Sequence, residues 1–263
     1  SPTGYLHLGH AYSALFAGRL ATSAGGQFIL RIEDIDPGRC RPEFEDAIIE
    51  DMAWLGLEWP QPVWRQSERM DVYGSALETL NGMDLLYPCF CTRKDIAAEI
   101  SQSGAAPHLG HDGPDGPVYP GICKSLDGST RAARIAAGEP HALRLDMDAA
   151  IARAGTLTWH DRSRGEQTAE PEIFGDVVLA RKDVATSYHL AVTIDDAAQG
   201  VTLVTRGSDL FAATHIHRLL QALLDLDVPE WHHTPLLANS DGERLAKRDR
   251  AFTLQAMREA GTD

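Results

Sequence analysis

Cysteine is scarce: four among 263 residues, too few for a small disulfide-stapled fold. Long apolar runs are missing too. No stretch approaches the length of a membrane span, although 43% of the residues are hydrophobic. Nothing near Ser1 resembles a secretory leader, so the expected location is the cytoplasm. Basic residues are outnumbered, 24 Lys and Arg against 38 Asp and Glu, for a net charge of −14. That balance excludes a surface that binds nucleic acid everywhere and confines any RNA contact to a local patch, such as Arg244, Lys247, Arg248 and Arg250. The first residue is Ser1 rather than Met, from which a missing N-terminal piece is expected. The length allows one large or two modest domains with a substantial core.

Three of the four cysteines cluster. Cys89 and Cys91 lie in PCFCT, and Cys123 follows a loop rich in glycine and proline. A C-x-C pair with a third thiol points to tetrahedral zinc, which needs a fourth ligand. His108, His111 and Tyr119 are the nearby candidates. The plainer alternative is three buried or free thiols, and Cys40 reads as an ordinary small side chain.

The stretch SPTGYLHLGH ends in two imidazoles three residues apart around a glycine. From Gly9 to about Ser23 there is no proline, Ala11, Ala14 and Leu15 share a face, and Gly25 and Gly26 follow, which together predict a helix. His10 then falls in its first turn. Unpaired amides and the positive end of the helix dipole favour an anion there. His7 and His10 add donors, and Gly9 permits close approach of a triphosphate. The alternative is a pair of histidines with no role beyond solvation or packing.

Further along, strands and helices alternate in the manner of an α/β nucleotide-binding domain with a parallel sheet. FILRIEDID predicts a buried strand ending in carboxylates. Pro42 opens a helix carrying Phe44, Ile48, Met52 and Leu55 and closed by Gly56. Ser67 is placed to cap the next helix, which runs to Gly82. Between Pro88 and Lys182 the texture changes to Gly/Pro-rich loop and short strands at HALRLD and TLTW, the mark of an inserted subdomain. SYHLAVTIDD and VTLVTRGSDL are then expected as strands, and Asp209 to about Leu224 as a helix. Glu33, Asp195 and Arg206 would lie at strand ends, where open sheets bind ligands. The expected divisions are 1–87 and 183–235 for the two halves of the α/β domain, 88–182 for the insert, and 236–263 for a terminal segment.

SPTGYLHLGH, FILRIEDID, GDVVLARKD, SYHLAVTIDD, VTRGSDL and ERLAKRD, in this order along nearly the whole chain, resemble the catalytic core of class I glutamyl-tRNA synthetases. The resemblance implies a Rossmann-like catalytic domain with an inserted zinc-containing subdomain. It matches HLGH to the HIGH motif and Arg244, Leu245, Ala246, Lys247 and Arg248 to the KMSKS loop. Ala246 and Arg248 depart from the serines of that motif, and of its lysines only the second remains, as Lys247. The chain ends soon after this loop, with no anticodon-binding domain expected. That shortness is similar to the glutamyl-queuosine tRNA(Asp) synthetases, which place glutamate on an anticodon base.

The resemblance carries roles onto particular residues. His7, Gly9, His10 and Lys247 serve catalysis, and they bind ATP together with the rest of the loop. Ser1, Glu33, Tyr188 and Arg206 take L-glutamate, Glu33 at the ammonium and Tyr188 and Arg206 at the side-chain carboxylate. Cys89, Cys91, Tyr119 and Cys123 match the zinc pattern C-x-C and Y-x-x-x-C, which demotes the two histidines. Magnesium with ATP, queuosine-bearing tRNA(Asp) as acceptor, no membrane and a monomeric state are likewise implied. Other readings are the core of an ordinary glutamyl-tRNA synthetase, a noncatalytic RNA-binding paralogue, and another HxGH nucleotidyltransferase.

Overall fold

The computed structural model describes residues 1–103, 112–236 and 253–262. Their contacts define two compact units. The first comprises Ser1–Arg69, Leu203–Phe211 and Trp231–Asp263, and the second Met70–Thr202 and Ala212–Glu230. Among the described residues no helix is long and apolar enough to cross a membrane.

The first unit opens with α1 (Leu8–Ser23), which begins where His7 leaves the extended region and caps the helix. It stops as Gly25 turns to a φ of +67°, a conformation that glycine takes without a Cβ penalty. Strand β1 (Arg31–Ile32) follows, shorter than the FILRIEDID run from which it was expected. In α2 (Pro42–Trp54), proline in the first turn needs no amide partner, and Glu43 and Glu45 face the positive helix end. Strand β2 (Trp64–Arg65) pairs with β1 in parallel, Arg31 opposite Trp64. Leu6, Ile32, Ile48 and Met52 bury their side chains together in this unit's core.

Ser67 does not cap a helix. It sits in a single 3₁₀ turn, Gln66–Arg69, and α3 (Met70–Gly82) starts after it. The backbone amide and hydroxyl of Ser67 both donate to the Asp34 carboxylate, at 2.9 and 2.5 Å. A long-range acceptor has claimed the hydroxyl that a helix amide would otherwise use.

The second unit continues with β3 (Leu86–Cys89), α4 (Arg93–Ser103), the small hairpin of β4 (Asp112–Gly113) and β5 (Gly116–Pro117), and α5 (Gly128–Ala136). Then come β6 (Ala142–Leu145), α6 (Met147–Ala154), the hairpin of β7 (Thr158–Asp161) and β8 (Gly165–Thr168), and β9 (Val178–Ala180). Strands β3, β6 and β9 form an antiparallel sheet in that order, with Tyr87 opposite Arg144 and Cys89 opposite Ala142. HALRLD and TLTW do contain strands.

SYHLAVTIDD forms a helix, α7 (Tyr188–Ala198), and not the expected strand. Ser187 caps it, accepting from the Leu190 amide, and Leu190 through Asp195 are all buried. Burial on every side erases the 3.6-residue alternation, so the apolar run reads equally well as a central strand. Asp195 is therefore no strand-end carboxylate. It lies fully buried in the helix and accepts from the Tyr73 hydroxyl at 2.7 Å.

The chain completes the first unit's β10 (Leu203–Gly207), turns through a 3₁₀ segment at Ser208–Leu210, and enters α8 (Ala213–Leu223), later than the expected start at Asp209. Strand β11 (Glu230–Thr234) lies next to β10. Helix α9 (Leu254–Glu259) returns to the first unit's core: Leu254 is 1% exposed and packs in the cluster that holds Leu6.

On α8, His215 is buried, and its Nδ1 accepts the Glu170 amide at 3.1 Å. Burial holds its pKa below the ordinary histidine value, despite the opposing charges of Glu170 and Glu172. The folded protein thus takes up a proton at His215 less readily than the unfolded chain, whose histidine protonates near pH 6.5, so stability falls as pH drops through that value. A melting temperature that declines between pH 7.5 and 5.5, with a shallower decline in His215→Gln, is the expected result; identical slopes would contradict it.

Candidate active site and metal cluster

At the start of α1 the two imidazoles cap the helix reciprocally. The Gly9 amide donates to His7 Nδ1 and the His7 amide donates to His10 Nδ1, each at 3.1 Å. The rings lie 3.9 Å apart between centroids. A backbone N–H can only donate, so both Nδ1 atoms are acceptors and each neutral ring carries its proton on Nε2. The helix start thus holds two defined N–H donors beside its own amides and dipole, the local requirements of a phosphate site. Gly9 has a second reason to be glycine: a Cβ there would lie 2.9 Å from the His7 ring. Thr253 forms a backbone bridge with His7, and the Leu254 amide donates to the Leu6 carbonyl at 2.9 Å. Arg258 on α9 reaches Glu50 at 2.7 Å and the fully buried Asp51 at 3.4 Å. The chain after residue 252 is therefore fastened to the base of the histidine pair. No sequence signal in the tail marks this tie.

Three of the residues matched to glutamate binding belong to the first unit. Ser1 is exposed, with its carbonyl accepting from the Thr3 amide. Glu33 directly follows β1 and lies 3.8 Å from Arg31 Nη2. Arg206, near the end of β10, is 9% exposed and donates through Nε to His233 Nε2 at 3.1 Å. Phe211 stacks edge-on against the same histidine, with centroids 5.0 Å apart. His233 was not picked out from the sequence, because nothing near Arg206 in the chain points to it. Tyr188 belongs to the second unit, where it opens α7 among His189 and His217. Arg244, Leu245, Ala246, Lys247 and Arg248 lie outside the described residues, as do His108 and His111.

In the second unit Cys89, Cys91 and Cys123 converge. Their sulfurs lie within 4.8 Å of one another, and Cys91 and Cys123 are 3.4 Å apart. The Tyr119 hydroxyl stands 3.5 Å from Cys89 Sγ and 3.6 Å from Cys91 Sγ. It also accepts the Cys123 amide at 2.7 Å, and Cys123 Sγ accepts the Phe90 amide at 3.3 Å. Burial pushes the Cys91 thiol up to about 12. Burial acts on Cys89 too, but the Tyr119 hydroxyl and the Arg144 guanidinium outweigh it and hold this thiol below its usual value. Three sulfurs and a phenol oxygen so close, with two of the thiols almost fully buried, form a donor set that fits a four-coordinate metal ion. Sequence spacing left Tyr119 level with two histidines; the geometry brings Tyr119 to the sulfurs.

A histidine-capped phosphate-type helix start and a separate thiol cluster in one α/β chain suit a class I synthetase catalytic domain. Residues 1–263 match the family described as tRNA synthetases class I (E and Q), catalytic domain, and the chain belongs to that family. It is 49% identical over 266 residues to the glutamyl-Q tRNA(Asp) synthetase of Rhodobacter capsulatus, covering 99% of this chain and 93% of that protein. It is 44% identical to the protein of the same name from Symbiobacterium thermophilum, covering 100% of this chain and 80% of that one. Among solved structures it is similar to the glutamate-tRNA synthetase of Elizabethkingia anophelis, with a TM-score of 0.78, 29% identity and 94% of this chain covered. It spans about half of that longer protein, 51% of its length.

Proposed function

We propose that this protein activates L-glutamate with ATP, without need of tRNA, and transfers it to the queuosine base of tRNA(Asp). The observation that carries the reading is the likeness to relatives bearing that name, over 93% of the length of the Rhodobacter capsulatus protein and 80% of that from Symbiobacterium thermophilum. The alternative of an ordinary glutamyl-tRNA synthetase core draws on the solved neighbour, of which this chain spans only half.

In the first step an oxygen of the glutamate α-carboxylate attacks the α-phosphorus of ATP, and the bond to the β-phosphate breaks to release pyrophosphate. Positioning and charge stabilisation dominate such a step. His7 and His10, with Nδ1 committed to backbone amides, offer Nε2–H to the phosphate oxygens. Lys247 adds a cation to the departing charge, aided by the rest of the loop from Arg244 to Arg248. Glu33 pairs with the substrate ammonium, and Arg206, oriented by His233, with its side-chain carboxylate. Ser1 and Tyr188 take their substrate roles from the resemblance. In the second step a nucleophilic group of the modified base attacks the glutamyl carbonyl carbon, AMP leaves, and the proton of that group passes to solvent.

Magnesium would accompany ATP and offset phosphate charge. Zinc would be held by Cys89, Cys91, Tyr119 and Cys123, a closed set that leaves no position for an activated water and so serves structure. The reading includes a cytoplasmic monomer.

The test supplies ATP and labelled glutamate with queuosine-bearing tRNA(Asp), unmodified tRNA(Asp) or tRNA(Glu). Transfer to the first acceptor alone, with pyrophosphate exchange in the absence of any tRNA, is expected. Transfer only to tRNA(Glu) overturns the reading.

A further inference from the structure

The metal cluster has a cation beside it that the ligand pattern does not include. Arg144 on β6 lies opposite Tyr87 in the antiparallel register, one diagonal step from Cys89, so its side chain shares the sheet face that carries the first thiol. Its guanidinium carbon stands 3.8 Å above the centre of the Tyr119 ring. Nη1 donates to the main-chain carbonyl of Asp176 at 2.6 Å, and Nε is buried without a hydrogen-bond partner. Among the described residues no carboxylate forms an ion pair with Arg144. Of the other cations close by, Arg134, over the Phe90 ring, grips Glu139 through two hydrogen bonds, while Lys182 and Arg131 donate to the Phe90 and Lys124 carbonyls, each at 2.6 Å, and Arg131 faces the ring of Tyr87 rather than that of Tyr119.

The charge count gives this placement a purpose. Three thiolates around a dication leave a net charge of −1 if Tyr119 binds as a phenol and −2 if it binds as a phenolate. A buried net charge is costly unless a counter-charge lies near it. Groups that orient and compensate metal ligands from outside change affinity by about 10–100-fold when lost. Among the described residues, Arg144 is the one cation stacked on a donor residue without a carboxylate in an ion pair with it.

We propose that Arg144 is a positioning residue of the metal site: it offsets the charge of the loaded thiolate cluster and, by stacking on Tyr119, holds the phenol oxygen toward the sulfurs. The proposal rests on the reading of the cluster as a zinc site.

The test follows zinc transfer from the full-length chain to a colorimetric chelator for the wild type, Arg144→Lys, Arg144→Gln and Arg144→Leu. About 10–100-fold faster release is expected from Arg144→Gln and Arg144→Leu, with Arg144→Lys between them and the wild type because it keeps the charge and loses the planar stack. Cobalt-loaded protein supplies a second readout, since weaker tetrahedral absorption in Arg144→Leu reports a displaced ligand. Melting of the chelator-treated proteins separates a structural role. If the variants lower that melting temperature yet release zinc at the wild-type rate with unchanged cobalt spectra, the proposal falls and Arg144 is only a tie to the Asp176 carbonyl. Wild-type protein that is folded and metal-free overturns the zinc reading itself, which is a different failure.

Discussion

Replacing Cys123 by serine is expected to empty the metal cluster and to lower stability by several kcal/mol. The thiol is 1% exposed, its sulfur lies 3.4 Å from that of Cys91, and it accepts the Phe90 amide. A serine hydroxyl does not ionise at neutral pH, so the site keeps two thiols and a phenol, too few soft donors for tight zinc. Apparent binding energies for structural zinc reach about 10–16 kcal/mol in small peptides; the rest of the sheet would recover part of that loss here. Zinc content should drop from near one per chain to near zero, and the melting temperature should fall with it. Full zinc occupancy in the variant, or an unchanged melting temperature, would contradict the assignment. Activation of glutamate is a useful companion measurement. A metal that only orders the second unit leaves pyrophosphate exchange largely intact at temperatures below melting.

Lys247→Ala is expected to slow tRNA-independent pyrophosphate exchange by about 10²–10³-fold, the usual cost of removing one charge-stabilising donor in a transition state. The effect should fall on kcat more than on the KM for glutamate, because Glu33 and Arg206 rather than Lys247 are assigned to the amino acid. Replacement of the motif serines by Ala246 and Arg248 raises the weight on this one lysine. An exchange rate unchanged in the variant would remove the loop from the mechanism.

Where the sequence was legible, a local rule decided the structure. Pro42 and Gly56 bracket a helix as proline and glycine do, and HLGH opens a helix with its imidazoles at the amide end. The cysteine cluster was visible because C-x-C fixes two donors together. What failed depended on partners distant in the chain. Ser67 became a donor to Asp34, thirty-three positions away, and α7 passed for a strand because burial on all sides hides periodicity. His233, Arg144 and the Leu254 tie share that property: each acquires its meaning only from a contact that spacing does not encode. The pattern Y-x-x-x-C marks Tyr119 only once the family is named, whereas the sulfurs at 3.5 and 3.6 Å mark it directly.

Under the proposed function, the backbone bridge between His7 and Thr253 bears on the kinetics of nucleotide capture. Lys247 lies six positions before Thr253, a contour of at most about 20 Å. In that reading the contour bounds how far the lysine can stand from the backbone partner of the histidine assigned to the same phosphates. Confinement within such a radius corresponds to an effective concentration in the millimolar range or above, so in that reading the cation meets its anion without a search through bulk solvent. A glycine-rich insertion between Lys247 and Thr253 would lengthen that contour and is expected to lower the effective concentration without altering any of the lysine's chemistry.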